Sequence, residues 1–372
     1  MRISVNVARV LVGSLFIFSG LIKAIDPLGL AYKMQEFFEV WADAGYMKGM
    51  MMWLHSHAVM FSVTMISLEV ILGLLLLLGT FKRLTAWLLL LLMLLFTFLT
   101  SYVLFSGKIR ACGCFGDCIP LTPKQTFTKD IVLLLLVVII LFGQQYIRPL
   151  FSKVINYSIL GFGMIGIIFL QWYVLKHLPL KDCLPYKVGN DIFKLRQMPE
   201  NAVQDKYAYS FVYEKDGVKK EFTKELPDSS WKYVDRIQTL VEKGHDNIPL
   251  INDFTFTTES GNDTTEAILT QPVDYDLVFI KTMDDYKSTR ESDEKWINEV
   301  IKTNKQLYVI TAQPEKVKEY LFTLRINGKI PVFTCDVTAI KTAARANPTV
   351  FMMKGPIVQK KLSWADFDQL FK

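Results

Sequence analysis

Three of the chain's five cysteines, Cys112, Cys114 and Cys118, fall inside the segment RACGCFGDCIPLTPKQTFTKD. Thiols packed that densely exchange disulfides, form a static staple or, with a fourth soft ligand, hold a metal. A Cys112–Cys114 bond would close a small, strained ring and so be comparatively oxidising, with Cys118 near enough to resolve or exchange it. Lys108 and Arg110 favour the thiolate, which is the nucleophilic form, and Asp117 opposes it. His55, His57 and His177 are distant in sequence, and no metal site is expected. Glycines and prolines mark the whole segment as loop rather than helix. Of the other two cysteines, Cys183 in KDCLPY is placed to relay or cap one of these thiols, or to be a bystander. Cys335 ends a predicted buried strand and reads as a small core hydrophobe.

A second set of candidates consists of charges within apolar runs. Glu69 lies near the middle of one, and Arg9 and Lys23 lie toward the two ends of another. An ion in hydrocarbon is costly unless paired. One reading is structural: Arg9 snorkels and Glu69 is satisfied by Lys23, Ser19 or Ser101. The sharper reading gives Glu69 a proton-relay or quinone-site role.

The elements that must position these groups follow from hydropathy. The chain is 51% hydrophobic, and nearly all its long apolar runs precede Lys176. Five of them approach the about 20 residues that a spanning helix needs: Val5–Ala24, Val59–Thr80, Leu84–Phe105, Ile131–Tyr146 and Tyr157–Leu175. The first has the charged start of a secretory signal, but Lys23 and Asp26 follow without an A-x-A-like site, so it reads as a retained span. Between the first two spans, Phe37, Phe38, Trp41, Met51, Met52 and Trp53 lie on amphipathic helix suited to the interface with membrane lipid. Arg2, Lys82, Arg83, Arg148 and Lys153 crowd the short loops on one side, which predicts a cytoplasmic N-terminus. The thiol loop and everything after the fifth span then lie outside, in the oxidising periplasm of an inner-membrane protein. The net charge of +6 is spread without a dense basic run, which argues against nucleic acid.

The first span reads R-x3-G-x2-F-x2-SG-x2-K through Arg9, Gly13, Phe16, Ser19, Gly20 and Lys23, followed by Asp26-Pro27. The second reads E-x3-G-x5-G-x-F-x-R through Glu69, Gly73, Gly79, Phe81 and Arg83. With CGCFG at 112–116, residues 5–150 resemble the DoxX/MauE group of redox-associated membrane proteins. That resemblance implies quinone-linked sulfur oxidation, or support of disulfide formation in periplasmic thiol proteins, with Cys112 and Cys114 as the reactive pair.

Beyond Pro185 the chain turns polar. YAYSFVY and KKEFTKE flank Asp216-Gly217, a hairpin signal, and IPLINDFTFTTESGNDTTEAIL reads as an extended pair. Strands and helices then alternate from Asp274 onward, as in an α/β fold. IPLINDFTF, Gly261 and Asn347-Pro348-Thr349 resemble the thioredoxin fold of the TlpA type. The resemblance implies a cis Pro348 shaping a partner-binding surface. The C-x-x-C of that family is missing: the stretch after the first long strand reads Lys281-Thr282-Met283-Asp284-Asp285. The expected architecture is therefore an α-helical membrane bundle of about five transmembrane helices plus a soluble α/β thioredoxin-like domain. Its division is 1–177 membrane unit, 178–247 linker and hairpin, and 248–372 degenerate thioredoxin-like unit. The expected function is thiol–disulfide exchange at the 112–118 loop, with quinone as the candidate acceptor. The alternative is a non-catalytic scaffold with a structural disulfide.

Overall fold

A computed structural model of the protein describes all residues except 110–112, 224–226, 243, 246, 303–304, 327–328 and 372. Cys112 therefore lies outside the described residues. The N-terminal half consists of α1 (Arg2–Ile25), α2 (Pro27–Asp43), α3 (Lys48–Ser56), α4 (Ala58–Leu78), α5 (Lys82–Ser106), α6 (Pro123–Phe142) and α7 (Lys153–Lys176). Among the described residues five of these, α1 and α4 to α7, are long and apolar enough to cross a membrane. Lipid is as apolar as leucine, so close packing and polar bonds must hold such helices together. Helices α1 and α4 meet through small residues: a Cβ on Gly73 would lie 2.8 Å from both the Gly13 carbonyl and Ile17 Cγ1. Around that seam Val12, Phe16, Leu72, Leu76, Leu89 and Val137 form the bundle core.

Arg9 turns inward instead of snorkelling. Its Nε donates to the Leu76 carbonyl at 2.8 Å, one terminal nitrogen to Leu77 at 2.5 Å and the other to Arg148 at 3.0 Å. The guanidinium thus satisfies the carbonyls that a helix leaves unpaired at its C-terminus.

The fourth span begins earlier than the hydropathy suggests. Thr122 and Gln125 form a capping box with Pro123 in the first turn, so residues 123–130 are helix rather than loop. The shift gives α6 its 20 residues without the shortfall expected of a span starting at Ile131.

The C-terminal half contains a short α8 (Ile192–Leu195) and two sheets. In the smaller, β1 (Lys206–Lys215) is flanked by β2 (Val218–Phe222) and β3 (Lys232–Glu242), all antiparallel. Asp216 and Gly217 have φ of 51° and 79°, which suits the two-residue turn between β1 and β2. Strand β3 is exposed throughout, and its sequence carries no alternation that marks it as a strand.

The larger sheet follows α9 (Thr265–Leu269). Its strands are β4 (Asp274–Ile280), β5 (Gln306–Thr311), β6 (Val332–Thr334), β7 (Thr349–Lys354) and β8 (Ile357–Ser363), in the order β6-β5-β4-β7-β8. Strands β4 to β6 are parallel; β7 and β8 are antiparallel to their neighbours. The crossovers are α10 (Arg290–Lys302), α11 (Pro314–Thr323) and α12 (Val337–Ala343). Alternation along β4 sends Leu277 and Phe279 into one apolar layer, with Phe254 and Phe351. Val278 and Ile280 go into the other, with Trp296 and Val350. Tyr186 and Ile192, expected within a linker, are core residues of the first layer.

Gly73→Leu should therefore pry α1 from α4 and lower stability in detergent by about 1–3 kcal/mol or more, the usual scale of overpacking. Gly161→Ala, where an added Cβ meets nothing within 4 Å, should leave the thermal transition unchanged or slightly raised.

Candidate functional site

The thiol loop is a tight turn held over the bundle. Gly113 and Gly116 have φ of 70° and 58°, a region glycine enters without strain, and the Gly116 amide donates to the Gly113 carbonyl at 2.9 Å. Cys114 and Phe115 stand at the tip of this turn. The Phe115 ring meets Phe18 at 6.1 Å and lies under the Lys129 ammonium at 4.7 Å.

Beneath the turn is a polar cluster inside apolar walls. Lys23 and Glu69, 4% and 1% exposed, form an ion pair that joins α1 to α4. The Ser19 hydroxyl is 3.3 Å from Glu69 Oε2 and 3.1 Å from the Cys114 carbonyl, and so links the carboxylate to the thiol loop. Lys23 also lies over the Phe96 ring, 5.2 Å from its centre. Nearby, Asp130 is buried in α6 beside Lys129 at 2.9 Å.

Cys114 lines two spaces. The inner one is a cavity of about 230 Å³ walled by Phe37, Phe38, Trp41, Met65, Phe96 and Leu99, with Lys23, Glu69 and Lys129 as its polar floor. The outer is a pocket of about 120 Å³ formed largely by residues 113–121 of the loop itself. Any group reaching Cys114 from the bundle meets apolar walls and ions; a group reaching it from outside meets loop backbone.

Cys118 is bonded to Cys183, with Cα atoms 5.0 Å apart. The structure thus brings together Cys114, Lys23 and Glu69, ties Cys118 to Cys183, and puts Arg9 near the opposite end of α1. Pro348 is buried, and the Asn347–Pro348 peptide is cis. Ser101 bonds its own helix at Phe98, away from Glu69.

Several groups at the site escaped the sequence reading. Lys129 and Asp130 precede the apolar core of α6 and looked like loop. Arg345 gave no signal beyond its place near Asn347-Pro348, yet it is 6% exposed and bonds Asp26 at 2.8 Å and Asp117 at 2.9 Å. Burial alone would lower its pKa, but the two carboxylates outweigh burial and leave it above the ordinary arginine value. Lys281 donates to the Tyr32 hydroxyl and to the Arg345 carbonyl, both at 3.0 Å.

Residues 1–143 match the family model of methylamine utilisation protein MauE. The membrane unit is MauE-like through its first four spans. Residues 207–243, the three-stranded sheet, match a domain of unknown function, DUF8463. Over 137 residues the chain is 32% identical to Protein TlpB of Flavobacterium psychrophilum, covering 36% of this chain. The match spans about a third, 35%, of that relative's own length. No solved structure matches.

Burial, reinforced by Arg345, holds the Lys281 ammonium down at about 8. Tyr32 and Arg345 face it, with Asp285 and Asp26 opposing the shift. The unfolded chain, with lysine near 10.4, binds more protons between these values, so stability should rise with pH from about 8 to 10. Thermal unfolding of the whole protein in detergent at pH 7, 8, 9 and 10 checks this. Lys281→Met should flatten the rise, which is worth at most roughly 3 kcal/mol.

Proposed function

We propose that this is a membrane thiol–disulfide redox protein in which the Cys112 and Cys114 thiols pass electrons from an external thiol protein to an acceptor inside the bundle. The observation that carries the reading is the position of Cys114 between an outer pocket and an inner apolar cavity with an ionic floor. In this reading the N-terminus is cytoplasmic, and the thiol loop and α/β unit are periplasmic. The unit from 248 to 372 is a thioredoxin-like fold, supported by three parallel strands followed by an antiparallel pair.

A partner thiolate attacks the Cys112–Cys114 disulfide, forming a mixed disulfide and freeing one loop thiolate. The partner's second thiol resolves it, leaving the partner oxidised and both loop cysteines reduced. The acceptor class we favour is quinone. Its ring fits the donor set: the cavity exceeds the about 150 Å³ that takes up benzene, its walls are aromatic, and Lys23, Lys129 and Ser19 offer donors to a carbonyl oxygen. Bound there, a quinone supplies a two-electron, two-proton acceptor. Lys23 and Lys129 put cations where negative charge gathers, and Ser19 and Glu69 hold the path by which loop protons leave.

A scaffold whose cysteines are static is the competing reading, and the Cys118–Cys183 bond favours it. Turnover separates the two. In lipid nanodiscs, dithiol-driven reduction of a short-chain quinone should be abolished by Cys112→Ser and by Cys114→Ser. Glu69→Gln should slow it on the order of 100-fold, as expected for lost proton transfer. Each single-cysteine variant should also trap envelope proteins as mixed disulfides. A wild-type protein inert in both assays would leave the scaffold.

A further inference from the structure

Each half of the Cys118–Cys183 bond is preceded by an aspartate, Asp117 and Asp182. Both carboxylates are gripped by nearly buried cations of the α/β unit. Arg345 holds Asp117 at 2.9 Å, and Lys361, 7% exposed, holds Asp182 at 2.6 Å. Arg345 spends its other nitrogens on Asp26 and on the Lys341 carbonyl. Lys361 is backed by the Ala343 carbonyl and the face of the Phe351 ring.

These cations belong to one face of the fold. Lys281 follows the C-terminal end of β4, and its backbone amide donates to the Asn347 side-chain oxygen at 2.9 Å. Arg345 leads into the Asn347–Pro348 turn. In open α/β sheets this crevice beyond the carboxyl ends of the parallel strands is where ligands bind. Here it is filled by the chain's own membrane unit. Tyr32 lies among Lys281, Lys341 and Arg345, with its ring centre 5.8, 5.5 and 5.3 Å from their charged groups. Lys341 reaches Gln35 at 3.2 Å.

We propose that the α/β unit acts in cis as a clamp whose ligand is the protein's own thiol loop, with Arg345 and Lys361 as positioning residues that bring Cys118 and Cys183 together. The clamp rests on the proposed thiol chemistry for its purpose and on the ion pairs for its existence. It also explains why a domain without a C-x-x-C keeps a formed strand-end crevice. The crevice holds the redox loop over the cavity, and its buried Pro348 is turned away from external partners.

The sign of one experiment separates a clamp from a local charge effect. In full-length protein, Cys118–Cys183 is reduced with a phosphine and then reoxidised by oxidised glutathione, the two thiols becoming the disulfide as two glutathione thiols leave. An aspartate beside a thiol disfavours thiolate, so Asp117→Asn or Asp182→Asn acting through charge alone would speed reoxidation. The clamp predicts the reverse: both variants slow it by roughly tenfold or more, the loss expected when two groups are no longer held in register. Asp117→Asn should also raise amide hydrogen exchange at 113–121 without raising it in β4 and β5. Asp284→Asn, which removes only an exposed pair with Lys316, should match the parent. Reoxidation at or above the parent rate in both loop variants would overturn the clamp. Slowed reoxidation in a protein that never reduces quinone would keep the clamp and sink the redox reading instead.

Discussion

Lys23 and Glu69 are almost wholly buried, and everything around the site is arranged so that each has the other. In a helix bundle surrounded by hydrocarbon an unpaired charge is costly. The pair therefore fixes the register of α1 against α4 together with the Gly13–Gly73 contact. That register in turn sets Ser19, which reaches both Glu69 and the Cys114 carbonyl. The thiol turn is thus hung from an ion pair within the membrane, and the aromatic walls of the cavity close around the same ions.

The outer half applies a similar rule in a different solvent. Arg345, Lys361 and Lys281 are cations removed from water, and the first two are matched by carboxylates of the loop and juxtamembrane segments. Burial, reinforced by Arg345, lowers the pKa of Lys281, and burial also lowers that of Lys361 despite Asp182, whereas Asp26 and Asp117 together outweigh burial at Arg345 and raise it. A buried ion pair is weak evidence of stability but good evidence of a specified arrangement. In this chain it specifies how a domain without a C-x-x-C sits on the loop that carries Cys114 and Cys118. Cys335 is in the domain's core, its thiol pushed up to about 12 by burial.

Much of the architecture was legible because hydropathy and alternation are strong signals. The five spans, the β4, β5 and β7 strands and the Asp216-Gly217 turn all follow from periodicity or turn chemistry. The start of α6 was not, because a Thr122–Gln125 capping box outweighed the loop character of the prolines and glycines before it. Strand β3 was missed because both its faces are exposed and no apolar alternation is needed. Cys114, Glu69 and Lys23 could be singled out by chemistry alone. Asp26 was noted as part of a motif and Asp117 as a charge opposing the thiolate, but their shared partner Arg345 is more than 200 residues away along the chain, which no local pattern can reveal.

In the proposed function the loop thiols exchange electrons with a quinone in the cavity below them. This exchange is tested most directly by anaerobic single turnover in nanodiscs. The protein is reduced, freed of reductant, mixed with a short-chain quinone and quenched for mass-spectrometric assignment of every cysteine. The account predicts that one quinone is consumed for each Cys112/Cys114 pair oxidised, and that blocking the cavity with Met65→Trp prevents this. Loop thiols that stay reduced while quinone is unchanged, or oxidation indifferent to Met65→Trp, would contradict it.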